Sequence, residues 1–99
     1  MITTVIVSFH AKTDQVKALS VFLSDVQKAV LAAGGLSISL LQDQDDPTRF
    51  FEVETWPSAD HHKEFVAGAA AAGAFAPFDE LLAAPFAMNY LDTVKHSAA

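Results

Sequence analysis

The chain has no cysteine, and it has only six lysines and arginines against twelve aspartates and glutamates. Without cysteine it can form no disulfide framework, thiolate metal site or cysteine nucleophile, which fits a reducing cytoplasm. The net charge of −6 disfavours a nucleic-acid partner, because binding a phosphate backbone requires a basic surface that displaces counterions. We therefore expect a cytoplasmic protein that does not bind nucleic acid.

Long hydrophobic runs are also missing. The N-terminal MITTVIVSFH lacks the basic region and the cleavage site of a signal peptide, and its Val, Ile and Thr content predicts a strand. The alanine-rich segment 66–77 is interrupted by Gly68 and Gly73 and is too short to cross a bilayer. We expect no contact with a membrane.

Apolar residues are plentiful, at 52% of 99 positions. A chain of this length supports one hydrophobic core and not two. We predict a single domain over residues 1–95, followed by a C-terminal tail at 96–99.

The hydrophobic pattern predicts strands and helices in alternation. Period-two segments predict strands at 2–9, 36–42, 49–56 and 86–91. A first helix is expected to begin in the polar run 11–14 and to end at Gly34-Gly35, since glycine accepts a left-handed cap. The apolar stripe of this helix is Leu19, Leu23, Val26 and Val30.

A second helix is predicted after Pro57, with Ser58 as its N-cap. It should break near Gly68 or Gly73 and continue as a separate piece at 76–82. The resulting order is βαββαβ. With right-handed crossovers, this order gives an α+β, ferredoxin-like fold: a four-stranded antiparallel sheet with the helices on one face. The other sheet face is left uncovered, and packing two such faces together predicts a homodimer.

The third predicted strand, RFFEVETW, carries two acids between large apolar residues. Strict alternation places Glu52 and Glu54 on the same face as Trp56. One interpretation is that the acids border a pocket. The other is that they pair with Arg49, a lysine or a histidine on adjacent strands, as buried acids usually require.

The run GGLSISLLQDQDDPTRFFEVETWPSADHHKEF resembles the central signature of the antibiotic biosynthesis monooxygenase family of dimeric α/β barrels. The resemblance consists of a glycine before the second strand, a D-D-P turn, E-x-W at the end of the third strand, and the start of a helix. It implies a ferredoxin-like homodimer with a pocket between sheet and helices. It also implies oxidation of quinols or polycyclic phenols without metal or flavin, so we expect a small aromatic substrate and no cofactor.

Two departures from the family pattern reduce the number of candidate catalytic residues and candidate reactions. Many members carry a histidine nine residues after the E-x-W tryptophan, where this chain has Phe65. The haem-degrading branch uses an asparagine on the first strand, which this chain lacks, so haem degradation is disfavoured. The adjacent His61 and His62 are then the remaining acid–base candidates, because imidazole titrates near neutral pH. Neighbours on a helix point about 100° apart, so we expect at most one to face the pocket.

The sequence thus yields a defined set of candidate residues. The catalytic candidates are His61, His62 and Glu54, and the substrate-binding candidates are Trp56, Glu52, Phe65 and Phe75. Each also has a purely structural interpretation, as a solvated helix start for the histidines or as core for the aromatic residues. Adjacent histidines do not supply the i, i+4 spacing of helical metal motifs, so no metal site is predicted.

The leading functional hypothesis is a cofactor-independent monooxygenase that oxidises a planar aromatic phenol or quinol with O2. A non-catalytic dimer that binds small apolar molecules is the alternative, and an oxygen-independent isomerase or cyclase is a third possibility.

Overall fold

Within residues 1–95, four strands and three helices follow the predicted order. The computed structural model describes these residues, so the predicted tail at 96–99 lies outside the described residues. The elements are β1 (Thr3–His10), α1 (Val16–Ala32), β2 (Ser37–Gln42), β3 (Arg49–Trp56), α2 (Ala59–Ala71), α3 (Phe78–Leu81) and β4 (Ala87–Leu91). The short α3 is the separate helical piece expected at 76–82.

The four strands form one antiparallel sheet in the order β2-β3-β1-β4. β3 therefore lies between β2 and β1, as right-handed crossovers predict. β1 and β3 pair along their whole length, from Thr3 opposite Trp56 to His10 opposite Arg49. Every second residue of both strands is buried, because the helices cover one face only. The predicted ferredoxin-like α+β fold is confirmed.

The first helix packs its apolar stripe on the covered face. Leu19, Leu23 and Val30 are buried, and Val26 is half-buried against them. The start of α1 differs from the prediction, since Gln15 precedes the first turn and makes no side-chain capping bond. The run 11–14 belongs instead to a connecting turn, in which the Ala11 N–H donates to a loop carbonyl at 2.8 Å.

The second helix begins as predicted, because Ser58 Oγ accepts a hydrogen bond from the His61 N–H at 3.1 Å. It passes through Gly68 without a break, where an added Cβ would meet only open space. The interruption comes at Gly73, whose φ of 75° favours glycine. None of the helices in residues 1–95 has the length and hydropathy of a membrane span.

No helix in the described residues covers the opposite face of the sheet, which we call the outer face. At its centre, Ile6 of β1 lies opposite Val53 of β3, and the neighbouring position of β3 on this face is Phe51. At its edges, Leu41 and Leu91 are 51% and 41% exposed. An uncovered sheet face is therefore present in the single chain, as the sequence predicts; it carries apolar side chains together with polar ones such as Ser39, opposite Val53, and Asn89, opposite Ile6.

Candidate functional site

The two glutamates of β3 lie on the face of the strand that the helices cover. Phe50, Glu52, Glu54 and Trp56 are all buried beneath the helices. Between them and the helices lies a cavity of about 40 Å³, which we call the inner cavity. Its polar lining is Glu52, Glu54 and His62, and the rest of its wall is apolar. Both acids therefore face the inner cavity together with one histidine.

Glu54 is held by the neighbouring tryptophan. Trp56 Nε1 donates a hydrogen bond of 2.8 Å to Glu54 Oε1, and Nε2 of His62 lies 3.6 Å from the same oxygen. Burial raises the pKa of Glu54, and the hydrogen bonds from Trp56 and Glu52 oppose that shift. Glu54 is thus the member of the carboxyl pair that is better equipped to carry negative charge.

Glu52 has the opposite environment. It is 2% exposed, and its Oε2 has no hydrogen-bond partner among the described residues. Burial, followed by the negative charge of Glu54 and the hydrogen bond to it, raises the pKa of Glu52 to about 8. At neutral pH it is therefore a carboxylic acid with an O–H to donate.

His62 completes the polar cluster from α2. Its side chain is 2% exposed, and a hydrogen bond of 2.9 Å joins its Nδ1 to the Tyr90 hydroxyl of β4. Burial lowers the pKa of His62, so the ring is neutral at neutral pH and one of its nitrogens can accept a proton. The sequence analysis missed Tyr90 as a partner of this histidine, although strand alternation after Phe86 already placed it on the inward face.

His61 points elsewhere. Its Nε2 lies 3.2 Å from the Ala33 carbonyl oxygen at the C-terminus of α1, and it does not line the inner cavity. The approach depends on Gly34, because a Cβ there would lie 2.9 Å from His61 Nε2. The structure therefore separates the two adjacent histidines: His62 faces the cavity, and His61 contacts the end of a helix.

Some of the remaining candidate residues line the inner cavity and others do not. Phe65 and Phe75 line the inner cavity. Trp56 is fully buried but stands behind the lining, with its ring 5.2 Å from the ring of His62. Arg49 is not a partner of the buried acids; it lies 3.6 Å from Asp46 on the surface. Tryptophan and histidine, and not arginine, are thus the partners of Glu54.

The described residues contain no group of three His, Asp or Glu side chains arranged to hold a metal ion. The polar atoms of the inner cavity are two carboxyl groups and one imidazole. The chemistry that they can support directly is proton transfer, with a neutral acid and a neutral base on one small apolar space.

Comparison with known proteins agrees with this architecture. The family model of the antibiotic biosynthesis monooxygenases matches residues 2–76. A sequence search among curated proteins gives no match.

Solved structures share the fold over nearly the whole chain. A candidate antibiotic biosynthesis monooxygenase from Nitrosomonas europaea is 19% identical, with a TM-score of 0.83 over 98% of this chain and 94% of that one. A protein from Mycobacterium tuberculosis is 22% identical, with a TM-score of 0.82 over 99% and 100% of the two chains. A candidate family member from Chloroflexus aurantiacus is 26% identical, with a TM-score of 0.71 over 98% of each chain.

Proposed function

Because the chain belongs to the antibiotic biosynthesis monooxygenase family, we propose that it is a cofactor-independent monooxygenase that oxidises a planar aromatic phenol or quinol with O2. The observation that carries the proposal is the placement of His62. A buried, neutral imidazole on an apolar cavity, held at Nδ1 by Tyr90, is suited to remove a phenolic proton.

In this proposal the first step is deprotonation of the substrate. If His62 donates its Nδ1–H to the Tyr90 oxygen, the lone pair of Nε2 is free to take the proton. Glu54 Oε1, 3.6 Å from Nε2, then lies beside the imidazolium that forms. The ionised form of Glu54 would stabilise that cation, and the Trp56 N–H holds the carboxyl group in place.

The electrons of the oxidation come from the substrate anion. It passes one electron to O2, and the resulting radical and superoxide combine at a ring carbon that bears hydrogen. The peroxide takes up a proton, and loss of water from the C–H and O–O bonds leaves a carbonyl group. One oxygen atom enters the product, the other leaves as water, and no external reductant is consumed.

Glu52 can act as the proton donor in the same series of reaction steps. As a neutral acid that faces the cavity, it can donate its proton to the peroxide oxygen that leaves as water. The apolar walls exclude bulk water and so strengthen each of these polar interactions.

The test is oxygen uptake by the metal-free protein with a panel of quinols and polycyclic phenols. A positioned base contributes about a hundredfold or more to rate, so His62→Ala should lower uptake by at least that factor. His61→Ala is the matched control, since its ring faces Ala33. Equal rates of oxygen uptake in the two variants would show that His62 is not the catalytic base. No oxygen uptake with any compound of the panel would refute the proposed oxygenase activity.

A second candidate function is an oxygen-independent isomerase or cyclase. It is favoured by one observation: a neutral acid, Glu52, and a neutral base, His62, face the same cavity. Such a pair can move a proton from one atom of a substrate to another without an oxidant. Turnover under strict anaerobic conditions distinguishes this activity from the oxygenase.

We also propose that two copies pair through the outer face. Val53 lies near its centre, opposite Ile6 on one side and Ser39 on the other. Val53→Lys should yield a monomer by mass measurement in solution, because a lysine there would be buried without a partner. Val21→Lys, at a 57% exposed position of α1, is the matched control. A monomeric parent protein at micromolar concentration would refute the pairing.

A further inference from the structure

A second, larger cavity opens to solvent next to the inner cavity. It measures about 520 Å³ and lies between α3 and the connection that leads into β4. We call it the outer cleft. Its lining consists of three phenylalanines, Asp79 and the segment 82–85.

Three phenylalanines belong to both cavities. Phe75, Phe78 and Phe86 line the inner cavity on one side and the outer cleft on the other. Their ring centroids lie 5.9 Å (75 to 78), 5.5 Å (75 to 86) and 5.3 Å (78 to 86) apart, which are contact distances for aromatic rings. These three rings form the wall between the two spaces, and we call them the aromatic wall.

The volumes on the two sides of the wall differ in what they can hold. An apolar cavity of about 150 Å³ accommodates benzene, whereas the inner cavity is about 40 Å³. A planar aromatic molecule therefore does not fit beside His62 while the wall is closed. The outer cleft, at about 520 Å³, has room for one, and it presents aromatic faces on which a ring can stack.

The three rings are not equally fixed. Phe78 is 7% exposed and packs against Phe9 and Phe22 in the core. Phe75 is only half-buried and lies in the turn between α2 and α3, two residues after Gly73. Around Gly73 a Cβ would meet nothing within 4 Å. Phe86 is also half-buried and lies outside a strand or helix, but its ring packs on Phe9 of β1. Among the aromatic rings of the described residues, Phe75 contacts only the other two members of the wall, so it is the ring with the fewest constraints.

We propose that the outer cleft is the first binding site of the planar aromatic substrate, and that the aromatic wall opens at Phe75 to let that substrate reach His62. The chemical class of this ligand is taken from the proposed function, so this part of the inference rests on that proposal. The substrate stacks on the wall from outside, Phe75 turns away, and the two spaces join into one. The reacting ring then enters next to the acid and the base, and closure of the wall excludes water from them.

Binding in the outer cleft is tested with 2-naphthol as the probe, by equilibrium dialysis. Ala84→Trp places an indole in the cleft and should weaken binding by about tenfold or more. Ala29→Trp, at an exposed position of α1, is the matched control and should bind as the parent does. Equal affinity of all three proteins, or no saturable binding by the parent, would overturn the cleft as a binding site.

Opening of the wall is tested by introducing a cysteine behind it. Because the chain has no cysteine of its own, a thiol reagent labels only the introduced residue. Val7 is 5% exposed and lines the inner cavity, so Val7→Cys should react slowly with methyl methanethiosulfonate. Adding Phe75→Ala should raise the labelling rate by about tenfold or more, with little dependence on urea, since a local opening exposes little surface. Phe22→Ala removes a ring that touches Phe78 but lines neither space, so it should change only the urea-dependent part of the rate.

An unchanged rate with Phe75→Ala, or an equal rise in both phenylalanine variants, would overturn the gate. Neither experiment measures oxygen uptake. A protein that binds 2-naphthol and opens at Phe75, yet consumes no oxygen, would therefore refute the proposed oxygenase and keep the gate.

Discussion

Replacing Glu52 by glutamine should change how stability depends on pH. The folded protein holds a proton on Glu52 up to a pKa of about 8, whereas the ordinary value is 4.5. Between those values the folded state binds more protons than the unfolded state, so the free energy of unfolding falls as pH rises. The Glu52 contribution is fully present below pH 4.5 and is lost as pH passes 8. Glutamine cannot ionise, so this loss should be absent from Glu52→Gln.

The size of the effect follows from the shift. Each pKa unit corresponds to about 1.36 kcal/mol. For a group that moves from 4.5 to about 8, integration between pH 5 and pH 8 gives about 3.5 kcal/mol. Relative to the parent, Glu52→Gln should gain about this amount of stability across that range. The glutamine side chain has nearly the same shape and keeps a donor for Glu54, so the packing of the cavity is preserved.

The assay is urea unfolding between pH 5 and pH 8, followed by the fluorescence of Trp56, the single tryptophan of the chain. All proteins are compared at one concentration, because self-association would add to stability. Glu64→Gln removes a carboxylate from an exposed position of α2 and controls for net charge. Parallel pH profiles for the parent and Glu52→Gln would refute a buried neutral acid at this position.

Three further substitutions test the contacts around the site. Gly34→Ala should destabilise the protein by about 2 kcal/mol in urea unfolding, because φ is 105° and the new Cβ would press on His61. Trp56→Phe removes the hydrogen-bond donor to Glu54 and should lower the free energy of unfolding by about 1–3 kcal/mol. It should also raise the pKa of the Glu54 carboxyl further, so that unfolding followed by circular dichroism shows a steeper loss of stability with rising pH. Ser58→Ala should cost about 1 kcal/mol through the lost N-cap. Wild-type stability in any of the three would contradict the corresponding contact.

The inward placement of the two acids could be predicted because it depends only on local periodicity. Side chains on a strand alternate, so Phe50, Glu52, Glu54 and Trp56 had to share a face once the strand was recognised. The stripe of α1 followed from the helical period in the same way. The start of α1 could not be found, because the polar residues that suggest a cap at 11–14 serve a turn that is fixed by a backbone hydrogen bond to Thr48.

The partners of the acids depend on distant packing, which periodicity does not report. The sequence suggested Arg49, a lysine or a histidine on an adjacent strand, yet the imidazole next to Glu54 comes from helix α2. The choice between His61 and His62 was open for the same reason. It depends on how α2 crosses the end of α1, where Gly34 leaves space for one of the two rings. The contact with Tyr90 requires the whole sheet to be assembled.

The place of β1 in the sheet has a consequence for how the protein is made. β1 leaves the ribosome before the other three strands of the sheet, yet its two neighbours, β3 and β4, lie at Arg49–Trp56 and Ala87–Leu91. Its apolar side and both of its hydrogen-bonding edges therefore stay unpaired at least until β3 has been synthesised. During that interval the nascent chain presents an apolar strand of the kind that chaperones bind.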